Sequence, residues 1–284
     1  MKGTILIIIS LLVMPLYGQH KKAYQFFDAK GKKADFTKLA KAAQRSEVVL
    51  FGELHDNPIC HWLELELVQT LQKQTPLVLG AEMLERDNQK ELEAYLQGQM
   101  TEKALDSLAR LWDNYATDYK PLVDFAKEHQ LPFIATNIPR KYASLVYKKG
   151  LQALDTLPSQ EKAWIVPLPM RFDGSLSQYQ KLKEMMPSHI GNDNFVKAQA
   201  IKDATMAHSI IANLRPKSVF VHFNGSYHSD FHQSIEWYLK QEQPMLKVLT
   251  ISTVMQSDLS KLEKEYKGQA DFILVVDEDM TKTF

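Results

Sequence analysis

The sequence predicts an α/β fold with a mainly parallel central sheet, helices on both faces and a helical insertion between the third and fourth strands. Two observations predict it. Short apolar runs rich in Val, Ile, Leu and Phe alternate with segments whose apolar residues recur at helical spacing. The runs are unbroken, which is typical of strands that helices cover on both faces. A chain of 284 residues with 45% hydrophobic residues can also bury a sizeable core.

The N-terminal segment, residues 1–18, is predicted to be a signal peptide. Lys2 precedes an apolar run that ends at Leu16, and Gly18 stands just before a polar segment. The run is shorter than the roughly 20 apolar residues that span a bilayer. We therefore expect an exported protein, periplasmic or associated with the cell envelope, whose residues 19–284 form one domain. An uncleaved anchor and a buried helix are the alternatives.

The strands are predicted from the apolar runs. A short strand at 24–28 precedes the main series, which comprises 47–51, 77–81, 132–136, 218–223, 245–251 and 272–276. Between them, helices are predicted at 36–44, 58–73, 89–97, 101–110, 119–129, 139–148, 195–214, 227–241 and 258–266.

Prolines and a glycine set several of the helix limits. Pro58 and Pro139 begin two helices, Gly150 follows the end of the second, and Pro216 stops the long helix at 195–214. The proline-rich stretch 151–195 is predicted to be irregular or partly helical. The whole segment 137–217 is therefore the helical insertion, which could form a lid or a surface for a partner.

Composition and motifs exclude several kinds of function. Lys plus Arg and Asp plus Glu number 34 each, so net charge gives no case for binding nucleic acid. The one cysteine, Cys60, rules out a disulfide framework and a cysteine zinc site, and we expect it to be buried. The N-terminal segment contains no cysteine to which a lipid could be attached, so we do not expect a lipoprotein. No dinucleotide, Walker A, nucleophile-elbow, HExxH or CxxC motif is present.

Polar side chains follow four of the predicted strands at the point where each strand ends. They are Glu53, His55, Glu82, Asn137, Arg140 and His228. Because ligands bind outside the carboxyl ends of parallel strands, we expect these groups to form one pocket. Imidazole and carboxylate suit a divalent metal or an acid–base pair, and an arginine suits a carboxylate or phosphate. The alternative is that such residues only cap helices, as Asn57 and Ser226 could.

Three further histidines have simpler interpretations. His228 and His232 are four residues apart on a predicted helix, a workable ligand spacing, while His55 and His61 are spaced more loosely. We nevertheless interpret His61 and His232 as surface or core histidines. His222 lies in the middle of a strand, so we expect it to be buried and hydrogen-bonded.

Aromatic and sulfur side chains offer candidates for binding an iron porphyrin. Tyr142 and Tyr147 follow Arg140 on one helix, and a tyrosine is an accepted haem-iron ligand. The arginine could then meet a propionate. Both tyrosines could equally be packing residues of an amphipathic helix. Three methionines could line a haem pocket, although methionine more often belongs to an ordinary core: Met185, Met186 and Met206.

Five stretches of the chain resemble a known family. They are residues 51–56, 79–83, 135–140, 199–207 and 222–228, and they include two Gly-x-x-His motifs, at Gly52–His55 and Gly225–His228. On these stretches the chain resembles the ChaN-like haem-binding uptake proteins, which belong with the Tiki, TraB and PrgY proteins to one superfamily.

The resemblance implies an exported α/β protein involved in haem and iron uptake. It also implies a homodimer with haem at a shared surface, and outer-membrane or periplasmic haem-uptake components as partners. A tyrosine is the implied iron ligand; Tyr142 is our candidate, without a motif match. Bacterial members are often lipoproteins, from which this chain departs.

Two functional hypotheses follow, with a third held beside them. The first is a haem carrier or store whose haem is held by Tyr142 or a histidine, with Arg140 on a propionate. The second is a metal-dependent hydrolase, resembling Tiki proteases or erythromycin esterases, with a divalent metal on His55, His228, Glu53 and Glu82. The third is a purely structural pocket, with the helical insertion as the working surface.

Overall fold

The computed structural model describes residues 21–185 and 193–284 of the chain. An eight-stranded sheet with the strand order β2-β1-β8-β7-β3-β6-β4-β5 forms its centre. The strands are β1 (Tyr24–Asp28), β2 (Lys33–Ala34), β3 (Val48–Glu53), β4 (Leu77–Glu85), β5 (Phe133–Asn137), β6 (Val219–Gly225), β7 (Val248–Gln256) and β8 (Phe272–Asp277). The predicted signal peptide, residues 1–18, and Met186 lie outside the described residues.

The sheet is mostly parallel, as the sequence predicts. Strands β3 to β8 pair in parallel, whereas β1 runs antiparallel to both β2 and β8 at one edge. The α-helices are α1 (Phe36–Ala43), α2 (Pro58–Gln72), α3 (Gln89–Leu96), α4 (Glu102–Leu108), α5 (Lys120–Glu128), α6 (Arg140–Lys149), α7 (Ser159–Lys162), α8 (Ser177–Met185), α9 (Asp193–Ala212) and α10 (Ile235–Glu242). Within residues 21–185 and 193–284, no helix combines the length and apolarity of a membrane span.

Helices cover both faces of the sheet. Along β3, Val49 and Phe51 pack into the core beneath α2, α3 and α5, while Val48 and Leu50 pack beneath α6, α9 and α10. Successive side chains of a strand point to opposite faces, so an unbroken apolar strand serves two cores. The next residue in the first series is Glu53, which therefore points toward α2 and α5.

Capping side chains fix the helix that follows β3. Asn57 accepts hydrogen bonds through Oδ1 from the backbone N–H groups of Ile59 (3.0 Å) and Cys60 (3.3 Å), and Pro58 is the first helical residue. Cys60 is buried, as expected, and burial raises the pKa of its thiol. The cap holds the first turns of α2 against the end of β3.

The segment between β5 and β6 is mainly helical, as predicted for 137–217. Its helices α6 and α9 pack on each other and on the sheet, where the Ser209 hydroxyl donates to the backbone oxygen of Thr136 (3.1 Å). Gly150, with a φ of 82°, ends α6 in a left-handed conformation that glycine adopts without strain. These helices thus supply the layer that covers one face of the sheet.

One predicted helix is wrong over its first half, and another does not form. The segment 227–241 instead begins with 3₁₀ turns, and the φ angles of Phe231 (58°), His232 (58°) and Ser234 (51°) break it before α10. A tertiary contact competes with the helix here, because the Phe231 N–H donates to the oxygen of Gln269 (2.6 Å). His228 and His232 therefore do not share a helix face.

The segment 258–266 contains only the 3₁₀ turn Lys264–Tyr266. The Gln256 amide donates to the backbone oxygens of Asp258 (2.9 Å) and Lys261 (3.0 Å), which a helix would otherwise engage. Because the Gln256 side chain binds these carbonyl oxygens, the helix that the periodicity predicts does not form.

Candidate functional site

The carboxyl end of β3 and the helices above it form the first of two acid–histidine groups. This Glu53 group comprises Glu53, His55, His61, Glu64 and Tyr119. Glu53 Oε1 lies 2.7 Å from His55 Nδ1 and accepts a hydrogen bond of 2.7 Å from the Tyr119 hydroxyl. Because a carboxylate accepts, His55 Nδ1 carries the proton, and Nε2 is the nitrogen at which the ring gains or loses its charge.

His55 is the accessible member of the Glu53 group. Its side chain is 37% exposed, and its ring packs edge-on against Trp112 with 4.9 Å between the ring centroids. Among the residues that the structure describes, no hydrogen-bond partner lies on Nε2. Although burial disfavours the imidazolium, Glu53 and Glu82 outweigh it and raise the pKa of His55. The result is an oriented imidazole with one free nitrogen.

The inner half of the Glu53 group is fully buried. His61 Nδ1 lies 3.3 Å from Glu64 Oε2 and 3.8 Å from Glu53 Oε2. Burial raises the pKa values of Glu53 and Glu64 to about 8, and for Glu53 the neighbouring charge of Glu64 adds to the effect. Within the described part of the chain, Glu53 Oε2 and Glu64 Oε1 have no hydrogen-bond partner.

The second group lies under α8 and α9 and is centred on His228. This His228 group comprises His228, Glu82, Asp203 and Tyr179. His228 Nε2 lies 3.0 Å from Glu82 Oε1, and Nδ1 makes a short hydrogen bond to Asp203. The Tyr179 hydroxyl donates to the other oxygen of Asp203 (2.7 Å).

His228 carries the positive charge inside the His228 group. Burial opposes the imidazolium, but Glu82 and Asp203 outweigh it and raise the pKa of His228 to about 10. In return, His228 overcomes the burial of Glu82 and holds the pKa of that carboxyl well below its usual range. Both ring nitrogens of His228 therefore act as donors at neutral pH.

Gly225 joins the two groups at the end of the sheet. Its backbone N–H donates to Glu82 Oε2 (2.9 Å), and a Cβ atom at this position would lie 2.7 Å from His55 Nε2. Any side chain here would displace the imidazole, so the close approach requires glycine. The two Gly-x-x-His motifs thus meet, although their groups extend toward opposite faces of the sheet.

Three predicted site residues lie apart from both groups. Asn137 is buried with Oδ1 unpartnered among the described residues, and Arg140 is exposed at the start of α6. Tyr142 is 3% exposed and belongs to the apolar core beneath α6 and α9. In residues 21–185 and 193–284, no hydrogen bond or ion pair connects these three to the Glu53 or His228 group.

The other candidates have the following environments. His222 is buried and hydrogen-bonded as expected, with Nε2 2.8 Å from the Thr136 hydroxyl and Nδ1 3.0 Å from Asn224 Oδ1; burial lowers its pKa to about 4. His232 is exposed and pairs with Glu236 (2.9 Å). Met206 is buried in the core, whereas Met185 is 62% exposed.

Sequence reasoning missed four members of the groups. Glu64 follows His61 by three residues on α2, a spacing that places both on one helix face and could have revealed the pair. Tyr119, Tyr179 and Asp203 carry no such signal, because they reach the groups only through the tertiary fold.

Comparison with known proteins identifies relatives. A family model matches residues 39–239, and its description reads "Haem-binding uptake, Tiki superfamily, ChaN". The fold is similar to that of ChaN of Campylobacter jejuni, which is described as binding haem cofacially; identity is 16%, the match covers 89% of this chain and 97% of that chain, and the TM-score is 0.67. No curated protein sequence matches.

More distant structural matches include two proteins of other kinds. The type III effector HopBA1 is 13% identical, covers 86% of this chain and 94% of its own, and has a TM-score of 0.49. The erythromycin esterase EreC is 10% identical, covers 89% of this chain and 83% of its own, and has a TM-score of 0.47.

Proposed function

Since the chain belongs to the ChaN family of haem-binding uptake proteins in the Tiki superfamily, we propose that it binds haem. The observation that carries the proposal is the family match, which spans residues 39–239 and includes both acid–histidine groups. The fold shared with ChaN of Campylobacter jejuni agrees with it.

We propose His55 as the residue that binds the haem iron. Its Nδ1–H is held by Glu53, an arrangement that fixes the tautomer of metal-binding histidines and aims Nε2 at the metal. The part-exposed ring of Trp112, which packs against His55, supplies an apolar surface on which a porphyrin could lie. When bound, haem would contribute its iron, and His55 would supply the imidazole nitrogen that holds it.

Arg140 is the proposed partner of a haem propionate. It is an exposed cation that follows β5, three strands from β3 and thus about 14 Å away at the usual strand spacing. Tyr142, the candidate ligand from the sequence, is buried beneath α6 and would have to leave the core to reach iron. The burial of Tyr142 favours His55.

Export and assembly complete the proposal. We propose that residues 1–18 direct export to the periplasm or cell envelope, where the protein takes part in haem and iron uptake with other uptake components. A homodimer remains part of this proposal. These points depend on the signal-like N-terminus and the family, and expression with and without residues 1–18 followed by cell fractionation tests the first of them.

A haemin titration tests haem binding directly. Following absorbance, we expect a saturable Soret band at a defined ratio of haemin to protein. His55→Ala should weaken binding at least tenfold, whereas Tyr142→Phe should leave the spectrum unchanged. Absence of a saturable band would overturn the proposed function. If only Tyr142→Phe lost haem binding, the iron ligand would be Tyr142 instead of His55, and the proposed haem binding would still hold.

A hydrolase is the second candidate, and the Glu53–His55–Tyr119 chain of hydrogen bonds favours it. An imidazole with one nitrogen held by a carboxylate and the other free is suited to act as a general base. A screen of peptide and ester substrates would test this, with His55→Ala as the variant. Full activity in that variant would exclude the mechanism.

A further inference from the structure

The buried half of the Glu53 group contains more hydrogen-bond acceptors than donors. Glu53 is 1% exposed and Glu64 is 0% exposed, and each keeps one carboxylate oxygen without a partner among the described residues. Buried carboxylate oxygens are normally satisfied, because an unpartnered one costs about 1–3 kcal/mol or more. Two such oxygens in one buried group leave a place where a cation could replace the protons of the carboxyls.

The tautomer of His61 adds a third acceptor. His61 Nε2 lies 3.2 Å from the backbone oxygen of His55, which can only accept, so Nε2 carries the proton. Asp118 Oδ2, at 3.5 Å, reinforces this orientation. Nδ1 faces Glu64 Oε2 at 3.3 Å, a contact that needs one proton between the two atoms, and a metal ion could take the place of that proton. A histidine that donates its other N–H to a backbone carbonyl has the orientation that metal-binding histidines use.

We propose that Glu53, His61 and Glu64 bind a divalent transition-metal cation. One ligand atom from each residue can be chosen so that all three lie within 4.8 Å of one another, a separation that one ion can bridge. Imidazole nitrogen with two carboxylates suits Zn²⁺, Mn²⁺ or Fe²⁺, whereas Mg²⁺ and Ca²⁺ prefer oxygen ligands alone. This site goes beyond haem binding and is distinct from a metal on His55 and His228.

The ion would also support His55. Glu53 would bind the ion through Oε2 while Oε1 keeps the hydrogen bonds with His55 Nδ1 and the Tyr119 hydroxyl. The carboxylate would thus connect the buried cation to the accessible imidazole. Fixing Glu53 in this way would hold His55 in its present orientation, a role that outer ligands commonly have in metal sites.

The first experiment measures metal binding by the full chain after dialysis against a chelator. Titration with zinc alone, followed by calorimetry and metal analysis, should give one zinc per chain. Glu64→Gln and His61→Asn should each weaken zinc binding at least tenfold, and circular dichroism should confirm that both variants are folded. Glu66→Gln, on the same helix but part-exposed and outside the group, is the matched control and should bind as the parent does.

Cobalt provides a second readout, and His55→Ala separates the two metal hypotheses. Co²⁺ bound to the parent should give visible absorption bands that disappear in Glu64→Gln. His55→Ala should retain zinc while losing haem, so failure of haem binding and failure of this site are distinguishable. The proposal is overturned if the parent binds no zinc, if Glu64→Gln binds zinc as tightly as the parent, or if zinc is lost only in His55→Ala.

Discussion

The two Gly-x-x-His motifs hold their histidines in opposite chemical situations. His228 lies between two carboxylates and both of its nitrogens donate, so its group is complete in itself. In the Glu53 group, His55 uses one nitrogen and leaves the other free, while two buried carboxylate oxygens lack partners in the described structure. The same motif thus produces a closed ion pair on one side of the sheet and an incomplete set of acceptors on the other.

The difference follows from the number of charges that each group buries. One imidazolium faces two carboxylates in the His228 group, with a tyrosine hydroxyl on the second. In the Glu53 group, Asp118 lies beyond Glu53 and Glu64, and no lysine or arginine of the described residues pairs with these three. Burial raises the pKa values of Glu53 and Glu64 to about 8, so both carboxyls hold protons at neutral pH that a bound cation could replace. Binding chemistry is therefore expected at the Glu53 group.

The largest effect on the free energy of unfolding is expected when His228 is removed from its group. His228→Leu would leave Glu82 and Asp203 buried without their shared donor, which should lower the free energy of unfolding by about 3–5 kcal/mol. Urea unfolding measures this. His232→Leu removes an exposed histidine with one partner and should cost less than about 1 kcal/mol. Similar losses in both variants would refute the idea of a closed group.

The pH dependence of stability should separate the two groups. The pKa of His228 is raised from 6.5 to about 10, so the folded state binds this proton more tightly than the unfolded chain does. The resulting stabilisation is complete below pH 6.5 and is lost as pH rises toward 10. Between pH 8 and 10 the metal-free protein should lose about 2 kcal/mol, chiefly through His228. The raised pKa of Glu53, about 8, acts in a lower range: the folded state holds this proton more tightly than the unfolded chain, so stability should fall as pH rises from 4.5 to 8. If His228→Leu keeps the same slope above pH 8, the assignment is wrong.

A carboxylate-to-amide change should have opposite signs in the two groups. Asp203→Asn removes a charge that His228 needs and should destabilise the protein by about 1–2 kcal/mol. Glu64→Gln relieves the crowding of carboxylates and should stabilise the metal-free protein by up to about 1 kcal/mol. Chemical unfolding after chelation compares them. If both changes destabilise the protein, the carboxyl group of Glu64 is stabilising in the metal-free protein, and the prediction is wrong.

The smallest effect is expected at Tyr119. Tyr119→Phe removes one of the two donors to Glu53 Oε1 and should cost about 1 kcal/mol of unfolding free energy. Haemin affinity should fall less than in His55→Ala, because His55 Nδ1 still donates. Tyr95→Phe, whose hydroxyl bonds to Asp124 outside both groups, serves as the control and should leave haemin affinity unchanged. Equal loss of haemin binding in Tyr119→Phe and His55→Ala would make the hydroxyl, rather than the imidazole, the essential group.

The sequence predicts most of the fold because strand burial and helix caps are local signals. The run at 47–51 and the Asn57-Pro58 cap indicate β3 and α2 without any knowledge of their neighbours. The segments 227–241 and 258–266 fail for the opposite reason. Their helical periodicity is overridden by tertiary bonds, from the Phe231 N–H and from the Gln256 side chain.

Prediction of the site is less complete. Residues that end strands, such as Glu53 and His228, could be identified because parallel strands bring their ends to one edge. Their separation onto two faces of the sheet could not be predicted, since it depends on how α2, α5 and α9 pack. Asp203 illustrates the limit: it lies in the middle of a long helix, and only its position over the sheet brings it to His228.

The strand order also constrains when the Glu53 group can form. β3 pairs with β6 and β7, and the nearer of these follows about 165 residues later in the chain. Closing so long a loop is entropically unfavourable and slow. The apolar strand β3 therefore stays unpaired until the residues of β6 have been synthesised. β3 can take its place in the sheet only after β6 is available, so the Glu53 group reaches its final position late in folding.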